Sequence, residues 1–376
     1  MIYKGCKIRL YPTEEQEILL WKHIHACRFV WNYMLELQNK SDNILSKYDM
    51  MYLMPNLKKQ TDYLWLNEVS AASLNNVCWN LGKAFKMYFE HKTKHPKFKS
   101  KKTCKNSYPV CENRLKFYDN TVQVQKIGRI KIKDKYIQSN KICSPYISYI
   151  NNKWILSFQI KCENQTFNNL TDKSMGIDLG IKELAVVAFD NQKIIYHNIN
   201  KIKRMKNISH KIKHIQRVLN RKYRKNPNGN TKNIEKYEKI LKQLYNKQRN
   251  IRLNYIHQIT HSLINLYPQR IVMEDLAILN MMKNKRLAKS INEQCFSEFI
   301  RQMKYKCEWN GIEFIQANKF YPSSKTCSCC GNTKKDLRLS DRIYVCDNCG
   351  LIIDRDYNAA VNLMNYKEYI NHRKDL

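Results

Sequence analysis

Apolar and polar residues alternate over YKGCKIRLYP at the start of the chain, which predicts a strand ending at Pro12. From Thr13 to about Glu90 the period lengthens to that of a helix. Leu20, Ile24, Cys27 and Trp31 recur on one face, and so do Leu74, Val77, Leu81 and Phe85. Thr13, with Gln16 three residues on, predicts a capping box at the first helix start. Alternation returns over 107–165, most clearly in TVQVQKIGRIKIK and KWILSFQIK, and predicts a β-rich module.

At Ser174 the pattern changes again. SMGIDLGIKELAVVAFDNQKIIYHNI predicts two or three adjacent strands with a turn at Asp190-Asn191. Ile208, Ile212, Ile215 and Leu219 mark one helix, and Ile234, Tyr237, Leu241 and Leu244 a second, with RKNPNGNTKN turning between them. Ile256, Ile259, Leu263 and Leu266 mark a third. The short strand RIVMEDL follows, then a polar connection, a helix over about 292–309, the strand IEFIQA and a final helix starting near Asp356. There is no internal repeat.

Charge narrows the possible partners. The 376 residues hold 67 Lys+Arg against 32 Asp+Glu, a formal charge of +35. Such an excess repels itself unless something anionic covers it, and nucleic acid does so with release of counterions. The bases are clustered. Residues 91–106 hold seven lysines and no acid, and residues 201–250 hold seventeen basic residues against two acids, Glu235 and Glu238. Tyr223, Tyr237, Tyr245 and Tyr255 lie among the latter and could stack on bases, although the spacing of Tyr237 suits a core position. An anionic membrane is the rival partner, but no apolar run approaches the roughly 18 residues of a spanning helix. MIYKGCKIRLYP lacks a signal-peptide core, so the expected location is cytoplasmic.

Nine of the fourteen cysteines are scattered singly: Cys6, Cys27, Cys78, Cys104, Cys111, Cys143, Cys162, Cys295 and Cys307. In a reducing compartment these read as small hydrophobes. The other five cluster. Cys327-x-x-Cys330 and Cys346-x-x-Cys349, fifteen residues apart, supply four thiolates for a tetrahedral zinc. Gly331 and Gly350 follow the second cysteine of each pair, where such turns need positive φ. Cys329 is a neighbour that could compete as a ligand. Four thiolates close the coordination shell, so this zinc is expected to be structural.

Carboxylates supply the candidate chemistry. Asp178 in GIDLG lies inside an apolar strand, where a charge is costly unless it binds a cation. Its flanking glycines would admit a phosphate backbone, while a simple strand-end turn is the bland alternative. Glu274 ends the apolar strand RIVMEDL, with Asp275 beside it as either a substitute or a cap. Asp354 and Asp356 open the last helix, where N-capping by Asp356 would also explain an acid. Strand with Asp, further strands, helices, strand ending in Glu, and a late helix opening with Asp is the order of an RNase H-like nuclease. Three such carboxylates can hold two Mg²⁺ ions about 4 Å apart.

KIRLYPTEEQE, ACRFVWNYML, FEHKTKHPKFKSKK, GIDLGIKELAV, VMEDL, FYPSSKTCSCCG…YVCDNCG and DRDYNAAVNL resemble, in order, segments of the TnpB (OrfB) proteins of bacterial insertion sequences. These proteins are similar to the miniature type V CRISPR effectors, and the resemblance spans essentially the whole chain. It implies a multidomain α+β protein. The expected parts are a β-barrel wedge (1–12 and 107–170), an inserted helical recognition lobe (13–106), a RuvC nuclease domain (171–320, closed by 352–376) and a four-cysteine zinc ribbon (321–351). It implies an RNA-guided DNA endonuclease cutting double-stranded and single-stranded DNA beside a short adjacent motif, with guide RNA from the element's end. The family triad falls on Asp178, Glu274 and Asp356, with Asp354 an accompanying acid, and a bacterial or archaeal, nucleoid-associated setting follows. AILNMMKNKRLAKS, after Glu274, corresponds to the family's lid region. The rival readings are a transposase using the same carboxylates, and a non-catalytic nucleic-acid-binding regulator.

Overall fold

The structure is a computed structural model and describes residues 2–41, 43–133, 141–163, 169–227, 231–334, 336–338 and 341–367. The chain divides into two compact units, Met1–Asn164 and Gln165–Leu376. Among the described residues no helix is long and apolar enough to cross a membrane.

The first unit packs three helices with one antiparallel sheet. Strand β1 (Ile2–Tyr11) stops before Pro12, which has no N–H to offer a neighbour. Helix α1 (Glu14–Lys40) starts in the expected capping box, Thr13 Oγ1 accepting from Gln16 N and Gln16 Oε1 from Thr13 N. Helices α2 (Lys47–Lys59) and α3 (Ala71–Phe89) follow, then β2 (Ser107–Pro109), β3 (Lys116–Tyr118), β4 (Thr121–Val124), β5 (Gly128–Ile132), β6 (Ile142–Ile150) and β7 (Lys153–Cys162). The strand order is β2-β6-β7-β1-β5-β4-β3. β1 is central because it pairs with β7 from Ile2 to Leu10 and with β5 at Leu10 and Tyr11. Among the described residues the row ends at β2 and β3. One apolar cluster joins the layers, with Leu20, Ile24 and Val30 of α1 against Leu156 and Phe158 of β7.

The second unit is an α/β layer. Strands β8 (Ser174–Leu179), β9 (Glu183–Phe189) and β10 (Gln192–His197) form an antiparallel meander. Asp190 and Asn191 turn between β9 and β10 with φ of 50° and 59°, as a tight hairpin requires. Helices α4 (Lys203–Lys225) and α5 (Lys232–Ile264) follow, then β11 (Arg270–Glu274), α6 (Ile278–Met281), α7 (Ala288–Gln294), α8 (Phe296–Asn310) and β12 (Glu313–Ala317). β11 and β12 join parallel to β8, giving the order β10-β9-β8-β11-β12. A two-stranded ribbon, β13 (Ile343–Val345) with β14 (Ile352–Asp354), leads into α9 (Arg355–Met364).

Two expectations are corrected. The helices read separately around Ile234 and Ile256 are one helix of 33 residues, α5, because NKQRNIRLN between them contains no Gly or Pro to stop it. The helix expected over 292–309 is broken at Cys295, whose φ of 55° ends α7 and redirects the chain into α8. The turn RKNPNGNTKN lies partly outside the described residues. None of the cysteines is in a disulfide. Of the nine scattered ones Cys27, Cys78 and Cys307 are buried and the other six half-buried. Burial pushes these three thiols up to about 12, which makes them inert.

Candidate functional site

Strand alternation decides which way the acids face. In β8, Met175 and Ile177 point into the core formed with α5 and α8, together with Ile271 and Met273 of β11. Gly176 and Asp178 must therefore point to the opposite face, as must Val272 and Glu274. That opposite face is covered by α9: Val272 packs with Leu363 and Tyr366, and Val186 and Ala188 of β9 pack with Ala360. Parallel pairing of Ile177 with Met273 sets Asp178 and Glu274 side by side. Asp275 points the other way, is exposed, and accepts from Gln316 Nε2 at 3.4 Å.

Gly176 explains how α9 comes so close. A Cβ there would lie 2.0 Å from Ala360 O and 2.3 Å from Met364 N. This glycine admits the backbone of α9, not the phosphate backbone suggested by its sequence context. The start of α9 is then placed over the strand ends. Asp354 is the N-cap, its Oδ1 accepting from Tyr357 N at 2.9 Å, and it also pairs with Lys193 Nζ at 3.3 Å. The capping role considered for Asp356 therefore belongs to Asp354. Asp356 sits in the first turn with Arg342 Nη1 3.9 Å from its carboxylate.

These placements set three carboxylates close enough to act on one another electrostatically, though their oxygens do not all lie within 4.8 Å of one another. Burial first, and then the negative charges of Glu274 and Asp356, push the pKa of Asp178 well above the usual carboxylate range. Arg355 opposes this only in part. A half-buried acid beside two others is a net negative site that a divalent cation would neutralise, and its donors are oxygens, as Mg²⁺ prefers. Ser323 Oγ donates to Glu274 Oε1 from the loop after β12. Sequence offered no signal for this contact, since Ser323 is one of two adjacent serines in a loop.

The cysteines form the second cluster. Among the described residues, Cys327, Cys330, Cys346 and Cys349 are the one His/Cys/Asp/Glu group whose ligand atoms all lie within 4.8 Å of one another. Cys327 Sγ is 3.6 Å from Cys349 Sγ, and Cys330 Sγ is 3.5 Å from Cys346 Sγ. Four sulfurs around a zinc at about 2.3 Å stand about 3.8 Å apart, so the set fits that ion. The N–H of Cys349 and then that of Asn348 favour a thiolate at Cys346 and bring its pKa to about 6. The Asn332 N–H and the Asn348 side chain lower that of Cys330. The Leu351 N–H favours a thiolate at Cys349, yet burial and the neighbouring sulfurs hold its pKa up to about 12. Four thiolates together require a cation. Gly331 and Gly350 have φ of 75° and 74°, and their N–H groups close each knuckle on Cys327 O and Cys346 O. Cys329 is exposed and outside the cluster.

Each unit also carries a basic segment. Helices α4 and α5 form a hairpin zipped by Met205, Ile208 and Ile212 against Leu241, Leu244 and Ile251. Two of its tyrosines are engaged through their hydroxyls, Tyr245 accepting from Gln216 and Tyr223 donating to Glu238, while both residues stay about 40% exposed. In the first unit the lysine run is strapped to α1. Trp31 Nε1 donates to Lys97 O, Asn32 exchanges two hydrogen bonds with the Lys99 backbone, and Lys99 Nζ sits 3.4 Å from the Trp31 ring centre.

Several known proteins and family models are similar to this chain. A family model described as a helix-turn-helix domain of OrfB/IS605 proteins matches residues 1–41, one described as "Probable transposase" matches 157–285, and a Cas12f1-like TNB domain model matches 296–363. Residues 1–41 contain β1 and the unbroken α1. A Streptomyces pristinaespiralis protein named "Putative RNA-guided DNA endonuclease" is 26% identical over 96% of this chain and 89% of its own length. The InsQ protein of Escherichia coli K12, with the same description, is 26% identical over 95% and 90%. TnpB-like protein L770 of Acanthamoeba polyphaga mimivirus is 24% identical over 95% and 72%. Among solved structures, the mini-RNA-guided endonuclease CRISPR-Cas_phi3 aligns over 97% of this chain and 92% of its own, at 12% identity and a TM-score of 0.49.

Proposed function

The chain belongs to the TnpB (OrfB) family, and from that premise we propose that it is an RNA-guided DNA endonuclease with a single cutting site at Asp178, Glu274 and Asp356. The observation that carries the reading is the shared face of β8, β11 and α9, where Asp178 lies half-buried beside two further acids that raise its pKa. A purely structural sheet would gain nothing from this, because uncompensated buried charge is destabilising. We read the five-stranded layer with α9 as the RNase H-like nuclease domain (171–320 and 352–376), the cysteine cluster as its zinc ribbon (321–351), the first-unit sheet as the wedge (1–12 and 107–170), and α1 to α3 with the lysine run as the recognition lobe (13–106).

In this reading the three carboxylates hold two Mg²⁺ ions, which when bound supply activation of water and stabilisation of the leaving 3′ oxygen. The protein's share is placement. Asp178 and Glu274 are fixed by neighbouring strands, Asp356 by the first turn of α9, and Ser323 fixes one oxygen of Glu274. Cys327, Cys330, Cys346 and Cys349 hold a structural Zn²⁺. The basic hairpin and lysine strap carry guide RNA and target DNA, with base pairing reading sequence and protein reading backbone.

The test is to express Asp178→Ala protein with its native flanking DNA and sequence the RNA that copurifies. One discrete RNA, with a fixed scaffold and an end reaching past the element boundary, is expected. That RNA should direct cutting by wild-type protein and none by the variant. Bulk cellular RNA, or joined instead of cleaved DNA products, would favour the transposase that one matching family model describes. Cutting by Asp178→Ala would refute the site.

A further inference from the structure

A chain of hydrogen bonds runs from the first cysteine knuckle to the carboxylate face. Ser323 is 2% exposed, and while its Oγ donates to Glu274, its carbonyl accepts from Asn362 Nδ2 at 2.7 Å. Asn362 Nδ2 also reaches Thr326 O at 2.7 Å, and Asn358 Nδ2 donates to the same carbonyl at 2.7 Å. Asn358 Oδ1 in turn accepts from Ser328 N at 3.0 Å. Thr326 and Ser328 flank Cys327, so Asn358 clasps the knuckle on both sides.

Asn358 and Asn362 are one turn apart on α9, both buried, at 0% and 5% exposure. Asp356 lies two residues before the first of them. The residue type is dictated by the contacts at Asn358, which must donate to one backbone group and accept from another. Aspartate cannot donate and leucine can do neither, and a buried backbone group left unpaired is costly.

We infer that Ser323 is a positioning residue for Glu274, and that Asn358 and Asn362 lock it and the first cysteine knuckle to α9, so that the ribbon sets the affinity of the carboxylate face for divalent cations. This rests on the reading of Asp178, Glu274 and Asp356 as cation ligands. A ligand carboxylate with one oxygen held by a hydroxyl presents the other in a fixed direction. Without that hydroxyl the Glu274 side chain regains its rotamers, and loss of such an outer partner weakens metal binding about 10–100-fold.

The experiment is a Mn²⁺ titration of the full-length, zinc-loaded protein, followed by electron paramagnetic resonance, with zinc content and melting temperature measured on the same samples. Ser323→Ala is expected to keep its zinc and melting temperature while binding Mn²⁺ about tenfold more weakly. The Mg²⁺ concentration for half-maximal cutting should rise by the same factor. Asn362→Ala should weaken Mn²⁺ binding in the same direction with zinc retained. Unchanged Mn²⁺ affinity in Ser323→Ala overturns the inference, and so does a weakening matched by loss of zinc or stability, which would make the serine merely structural. Unchanged affinity in Asn362→Ala removes the link to α9. Wild-type protein that binds Mn²⁺ through Asp178 but cuts no guided target would sink the nuclease reading alone. No Asp178-dependent Mn²⁺ binding at all would overturn both.

Discussion

Gly176 has no room for a side chain, and Asp178 two residues later has too much charge around it. Both facts belong to one packing decision, the seating of α9 on β8. Gly176→Ala would drive a methyl group into the α9 backbone. The expected destabilisation is about 1–3 kcal/mol, the usual range for overpacking, and is measured by denaturant unfolding. Cutting should fall further than stability does, because α9 carries Asp356. For Asp178 the sign is set by its raised pKa. Below the unfolded pKa of about 3.9 the acid is neutral in both states and costs nothing. As pH rises towards the raised folded value, the unfolded chain ionises first and folding loses stability. Asp178→Asn protein is therefore expected to melt at a higher temperature than wild type in magnesium-free buffer at neutral pH, with the difference vanishing at low pH. Added Mg²⁺ should stabilise wild type and leave the variant unmoved. A variant less stable than wild type in magnesium-free buffer would contradict this account.

At the scale of elements, the ribbon is small and holds little core of its own, chiefly Tyr344 with Cys327 and Cys346. Its order depends on four sulfurs that require a cation to be thiolates together. β13 carries the approach to Cys346, and it pairs Ile343 with Asp354, the cap of α9. Cys346→Ser is thus expected to lose its zinc, lower the melting temperature of the second unit and reduce cutting, while RNA binding by the first unit and the basic hairpin persists. Metal analysis and a two-transition melt check this. Full metal content with normal melting would refute the ribbon as a zinc site. The long helix α5 shows the opposite economy. Gln248, 7% exposed, donates to Ser209 Oγ at 3.0 Å in the middle of the hairpin, so the stretch lacking a clear apolar stripe is held by a polar contact.

At the scale of the whole molecule, +35 charges are distributed over both units, and the acids are too few to pair them. Binding of RNA should therefore be dominated by phosphate contacts. If 6–10 phosphates are engaged, affinity falls by about 10³–10⁵ between 50 and 200 mM salt. Fluorescence anisotropy across that range gives the slope. Substituting Lys213, Arg217 and Arg221 of α4 together should flatten it, and an unchanged slope would remove the hairpin from the binding surface. Trp31 and Asn32 hold the lysine strap against α1, so its substitution tests a second proposed contact independently of the hairpin.

Sequence by itself determined the local events. Period marked β1 and the strands around Asp178 and Glu274, and residue type marked the capping box at Thr13 and the Asp190-Asn191 turn, because each follows from neighbours a few residues apart. The cysteine spacing and the two positive-φ glycines were legible for the same reason. The residue pattern showed acids at strand ends and at a helix start, and only the family resemblance picked Glu274 and Asp356 from among them; which way each side chain faces is a separate choice. That choice came from the tertiary structure. Parallel pairing of β8 with β11 turned Glu274 towards α9 and Asp275 away, and the Asp354 cap left Asp356 free of capping. The same packing gave Gly176 its role and drew an unremarked serine to Glu274. These are contacts between residues 49 to more than 180 positions apart in sequence, brought together by one helix seated on one sheet, and no local pattern encodes them.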